Sequence, residues 1–200
     1  MTKDAVIYEK KGHIAFVTFN RPEALNAYND QSHGELVKIW KDVRGDSNVW
    51  AVVLTGAGDK AFCAGNDLKY HAEIQAKTGK RPVHPLKGFG GLANRFDMDK
   101  PVIAAVNGIA MGGGFEIALA SDIIVAADHA KFALPEPRVG LAAGAGGMQR
   151  LSRMIPLKKA MGMMLTGRHV KAQEGNELGF VTAVVPHDVH TIAPVLLAYV

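Results

Sequence analysis

The chain alternates short apolar runs with amphipathic stretches. Residues 13–19 (HIAFVTF) are β-branched and aromatic and end at Asn20-Arg21-Pro22, a turn signal, so they predict a strand. Residues 31–44 put Leu36, Trp40 and Val43 on one helical face and Lys38 and Lys41 on the other, the pattern of an amphipathic helix. Residues 49–54, 101–106 and 123–126 are continuous apolar runs, as expected of strands covered on both faces. Further helix is predicted over about 67–76, from Gly112-Gly113-Gly114 through Ala120, and at about 147–165 and 172–177. Short strands are predicted at 131–133 and 181–185. Residues 57–91 are broken by glycine, proline and charge, and 78–91 read as an exposed loop. Strands alternating with helices predict an α/β layered fold. Residues 191–200 run apolar and helical without a cap, an abrupt end that predicts a continuation.

Composition narrows this picture. Two hundred residues suit one domain, and 48% hydrophobic with 21% charged residues excludes disordered and fibrous classes. No stretch of 18 apolar residues occurs, so no membrane span is expected. The start, Met1-Thr2-Lys3-Asp4, has neither a long apolar nor an Arg/Ser-rich leader, so a reducing, cytoplasmic location is expected. The single cysteine, Cys63, excludes a disulfide framework and a cysteine-built zinc site, and reads as a buried hydrophobe. Twenty-three basic against nineteen acidic residues give +4, a mild excess that suits a small polyanionic ligand without demanding nucleic acid.

Candidate chemistry lies at two glycine-containing junctions. Residues 61–68 (AFCAGNDL) and 111–116 (MGGGFE) each follow a predicted strand and lead into a helix. Helix N-termini present free N–H groups and partial positive charge, so two facing junctions could polarise one oxygen. Tight strand–helix packing is the plainer account of either junction taken alone. Glu116 is sharper, because its helix is apolar on every side and a buried carboxylate is expensive unless paired or useful. Glu136 lies between Pro135 and Pro137, where extended backbone is expected of the residue before a proline. A solvated loop acid is the plainer account of it. Residues 88–93 match a Gly-x-Gly-x-x-Ala fingerprint but follow Pro85-Leu86-Lys87 rather than a strand, so dinucleotide binding is rejected. His187 and His190 fall in a surface stretch, and no metal is expected.

Several ordered motifs together resemble the enoyl-CoA hydratase/isomerase (crotonase) superfamily over residues 5–190. They are 21–27 (RPEALNA), 61–68, 100–108 (KPVIAAVNG), 111–116, 132–136 (FALPE) and 144–151 (GAGGMQRL). Phe115 beside Glu116, residues 132–136 and the 88–108 segment look most like carnitinyl-CoA dehydratases. The resemblance implies a β-β-α spiral core over residues 1–190, with 191–200 starting a C-terminal helical region that is here apparently truncated. It implies a hydro-lyase acting on the 2,3 double bond of an acyl-CoA thioester. Catalytic residues would be Glu116 and Glu136, with an oxyanion hole from the N–H groups of Asn66 and Gly113. Ala24, Ala64, Gly65, Asn66, Asp67, Leu68 and Gly113 would line the coenzyme A site. It further implies no cofactor besides the coenzyme A of the substrate, and a homotrimer or dimer of trimers. An isomerase or carnitinyl-CoA dehydratase of the same family is the alternative. A non-catalytic coenzyme A ester binder, or an RNA binder using Lys38, Lys41 and Arg44, is the alternative from another class. Asn66 stands where the family commonly has alanine, and Ala142-Ala143 where it often has a proline.

Overall fold

A computed structural model describes residues 4–79 and 89–186. In chain order the elements are β1 (Val6–Lys11), β2 (Ile14–Phe19), α1 (Asp30–Gly45), β3 (Ala51–Gly56), β4 (Ala61–Cys63) and α2 (Leu68–Thr78). Next come β5 (Val102–Val106), β6 (Ile109–Met111), α3 (Gly113–Ala120), β7 (Ile123–Ala127) and β8 (Lys131–Ala133). Finally there are α4 (Gly147–Met154), α5 (Leu157–Thr166), β9 (Val170–Lys171), α6 (Ala172–Leu178) and β10 (Ala183–Val185).

Two sheets result. One has the order β1-β2-β3-β5-β7-β10, and the other β4-β6-β8-β9. Pairing is parallel except for the β1–β2 hairpin and the β8–β9 pair. The chain repeats one move: a strand in the first sheet, a short strand in the second, then a helix. β3-β4-α2 and β5-β6-α3 follow it strictly, and β7-β8 begins a third turn. This is the expected β-β-α spiral. The apolar runs in β3, β5 and β7 are covered on both faces, which is why they lack alternation.

The main core gathers Leu36, Trp40 and Val43 of α1 with Leu54, Phe62, Phe115, Phe132 and Leu134. α1 starts at Asn29, whose side chain accepts the Ser32 N–H at 2.9 Å. Two buried asparagines fix the turns after the strands. The Asn107 side chain donates to the Gly56 and Gly58 carbonyls, and that of Asn26 to those of Ala57 and Ala61.

Four local expectations change. β4 and β6 lie in stretches for which the sequence predicts no strand. Trp50 opens no buried strand: it is 59% exposed and stacks on His13, with ring centroids 3.7 Å apart. The predicted helix at 147–165 is two helices, because Pro156 stands between α4 and α5. Residues 136–139 form a 3-10 turn, so Glu136 is not held extended. The expected boundary at residue 190, the helix at 191–200, and His187 and His190 lie outside the described residues. So does most of the loop expected at 78–91. Among the described residues no helix is long and apolar enough to cross a membrane.

Candidate active site

The C-terminal ends of β4, β6 and β8 converge, and there the backbone packs on itself. Gly65 has φ +91°, and a Cβ on it would lie 2.8 Å from the Met111 carbonyl oxygen. A methyl group on Gly114 would overlap the Cys63 carbonyl. Only glycine fits either place, so the start of α3 is pressed directly against the segment that follows β4.

That contact exposes two N–H groups. Tyr28 donates to the Gly65 carbonyl at 2.8 Å, and Asp67 donates to the Tyr28 carbonyl at 2.9 Å. In this parallel bridge the intervening Asn66 turns its own N–H away from Tyr28. Gly113 is the first residue of α3, where the N–H has no intrahelical acceptor. Among the described residues neither N–H meets an acceptor.

The two glutamates come from different elements. Glu116 sits one turn into α3, 4% exposed, and its Oε1 accepts the Gly147 N–H at 2.9 Å. Burial pushes its carboxyl up to about 7; Gly147 pulls the other way, and the charge of Glu136 adds to the rise. Among the described residues Glu116 forms no ion pair with an arginine. Arg150 acts on Glu116 only through its field and donates instead to the Ala93 carbonyl at 2.7 Å. Glu136 opens the 3-10 turn after β8. A Cβ on Gly112 would lie 3.0 Å from its Oε1, so it flanks the start of α3. Its Oε2 is buried with no hydrogen-bond partner among the described residues, and burial raises its affinity for a proton. It is no solvated loop acid.

These groups share one pocket of about 310 Å³. Ala64, Gly65, Asn66, Leu68, Gly113, Glu116 and Glu136 all line it. Ala24 and Asp67 do not. The Ala24 carbonyl accepts the Ala27 N–H, while Asp67 caps α2 through Tyr70 and pairs with Arg21 at 2.8 Å. The apolar remainder, Pro135, Val139, Leu141, Ala142 and Ala145, was not singled out as wall in the sequence, because loop residues carry no periodicity. On α1 Lys38 and Lys41 are exposed, and Arg44 is engaged with Asp97 at 3.1 Å.

The buried charge makes a testable expectation for stability. The folded carboxyl of Glu116 holds its proton to about 7, above its ordinary 4.5. Its favourable contribution is therefore complete below 4.5 and lost as the pH rises through 7. Glu116→Gln should match the wild type in denaturant unfolding at pH 4. At pH 8 it should be the more stable by on the order of 2 kcal/mol. Equal stability at both pH values would show that ionised Glu116 is no burden to the fold.

Comparison with known proteins agrees with this architecture. Residues 9–197 match the model of the enoyl-CoA hydratase/isomerase family. The chain is 44% identical over 183 residues to (E)-benzylidenesuccinyl-CoA hydratase of Thauera aromatica, covering 90% of this chain and 69% of that protein. It is 42% identical to the short-chain-enoyl-CoA hydratase of Clostridium acetobutylicum, covering 92% and 70%. The crystal structure of carnitinyl-CoA hydratase from Mycobacterium avium superposes with a TM-score of 0.89 at 43% identity, over 99% of this chain and 75% of that one. With the spiral, the paired glutamates and these matches in agreement, the chain belongs to the enoyl-CoA hydratase/isomerase family.

Proposed function

We propose that the protein is a hydro-lyase that adds water to, or removes it from, the 2,3 double bond of an acyl-CoA thioester. The observation that carries this reading is the sharing of one pocket by two carboxyl groups, that of Glu116 buried and that of Glu136 half-buried, and two N–H groups that meet no acceptor among the described residues. The thioester oxygen lies against the N–H groups of Asn66 and Gly113, which stabilise the negative charge that develops on it. Glu116 holds the water and takes its proton as the oxygen bonds to Cβ. Glu136 delivers a proton to Cα. Two acids on one water titrate as a pair, so the apparent pKa values belong to both. Coenzyme A enters as part of the substrate and no cofactor takes part. Ala64 to Leu68 line its path, with Ala24 and Asp67 supporting them. A core over residues 1–190 and a homotrimer or dimer of trimers belong to the same reading and rest on the resemblance; action in the cytoplasm rests on the composition of the N-terminal residues.

Two acids favour hydration over isomerisation, for which one acid/base suffices. The engagement of Arg44 with Asp97 weakens the RNA-binding alternative. The test is a panel of 2-enoyl-CoA esters, including crotonyl-CoA and crotonobetainyl-CoA, followed by loss of enoyl absorbance. At least one should be hydrated, with kcat/KM falling on the acid side of about 7 as Glu116 gains its proton. Tight binding of the esters with no hydration of any would leave a coenzyme A ester binder and end the enzymatic reading.

A further inference from the structure

The three strands that deliver the pocket have a second end. At their N-terminal edge lies a separate concavity lined by Lys60, Ile109, Asp128, His129, Lys131 and Lys171, none of which lines the pocket above. Lys60 precedes β4, Lys131 begins β8 and Lys171 ends β9. Among the described residues none of the three lysines makes an ion pair or side-chain hydrogen bond. Asp128, the acid at this rim, lies 3.5 Å from His129.

Register sharpens the point. Lys131 and Lys171 are direct partners in the antiparallel β8–β9 pair, so their side chains leave the same face at the same level. Like charges placed directly opposite one another destabilise a sheet. These two are held side by side by the strand register, and Lys60 joins them at the same concavity. An arrangement that repels itself when empty is stabilised by an anion placed between its members. Lysine is a flexible point charge that suits phosphate oxygens.

We propose that this edge is a binding site for a multiply charged phosphate group, distinct from the acyl-CoA pocket at the other end of the same strands. The probe is inorganic pyrophosphate, titrated into the full chain at low ionic strength by calorimetry and followed by thermal melting. Wild-type protein should bind it and melt higher in its presence. Lys131→Gln/Lys171→Gln should weaken binding by about tenfold or more, since two charge-assisted contacts are lost. Without pyrophosphate that variant should melt higher than wild type, because the repulsion is gone. Lys38→Gln/Lys41→Gln, which removes the same charge from α1, should bind as wild type does. Saturation with coenzyme A should leave the titration unchanged, and hydration of crotonyl-CoA by the β8–β9 variant should equal that of wild type. The proposal is overturned by absence of pyrophosphate binding, by equal weakening in both double variants, by displacement with coenzyme A, or by a lower melting temperature of the empty β8–β9 variant. Each of these results is independent of whether the acyl-CoA pocket proves catalytic.

Discussion

Glu136→Gln and Glu116→Gln should each slow the hydration of crotonyl-CoA by at least about 10²-fold, the usual scale for removing a positioned acid or base. Glutamine keeps the shape of either side chain and removes only its capacity to exchange a proton. In Glu116→Gln the amide oxygen can still accept the Gly147 N–H, so the wall of the pocket stays in place. For Glu116 the loss of rate should accompany a gain in stability at pH 8, a combination that misfolding cannot produce. The double variant should be little slower than the slower single one, because one water and one substrate are served by both groups. Stopped-flow or steady-state loss of enoyl absorbance reads all three. A single variant with near wild-type turnover would remove that residue from the chemistry.

The two glutamates were unequally legible. Glu116 announced itself, since a charged residue within Phe115-Glu116-Ile117-Ala118-Leu119 contradicts the helix around it. Glu136 did not, because burial of a loop residue depends on what packs over it, here the start of α3 and the turn that follows β8. The fold divides along a similar line. β3, β5 and β7 were readable because strands covered on both faces become unbroken apolar runs. β4 and β6 span three residues each, too short for any period, and are defined by partners far away in the chain. The free N–H of Asn66 was out of reach of pattern alone. It depends on Tyr28 bonding to both neighbours of Asn66, a relation across 38 residues that the family resemblance anticipated and periodicity could not.

Gly113→Pro should abolish hydration, while Gly113→Ala should retain much more of it. Proline deletes the N–H of Gly113, a residue that lines the pocket, and loss of one oxyanion-hole donor costs about 10²–10³ in rate. Proline is tolerated at the first position of a helix, so α3 can still form. Alanine preserves the donor and adds a methyl group near the thioester, which crowds the substrate without removing the polarising contact. Circular dichroism and binding of the CoA product verify that both variants are folded. If folded Gly113→Pro hydrates crotonyl-CoA as fast as Gly113→Ala, the N–H of Gly113 has no part in the reaction.

Gly113 and Glu116 lie within a single turn of α3, and the glycine contacts with Cys63 and Met111 lock that turn onto the end of β4. In mechanical terms the donor and the carboxylate are two marks on one ruler. Helix geometry sets the backbone spacing between the two marks. Glu136 stands on a separate arm, a four-residue turn closed by Gly140 in the left-handed conformation. The spacing between that arm and the ruler is set by tertiary packing instead, since the two lie on separate elements. Val139 and Leu141 of the pocket wall lie on or just beyond that arm, so a substitution there reshapes the wall on an element other than the one that carries Gly113 and Glu116.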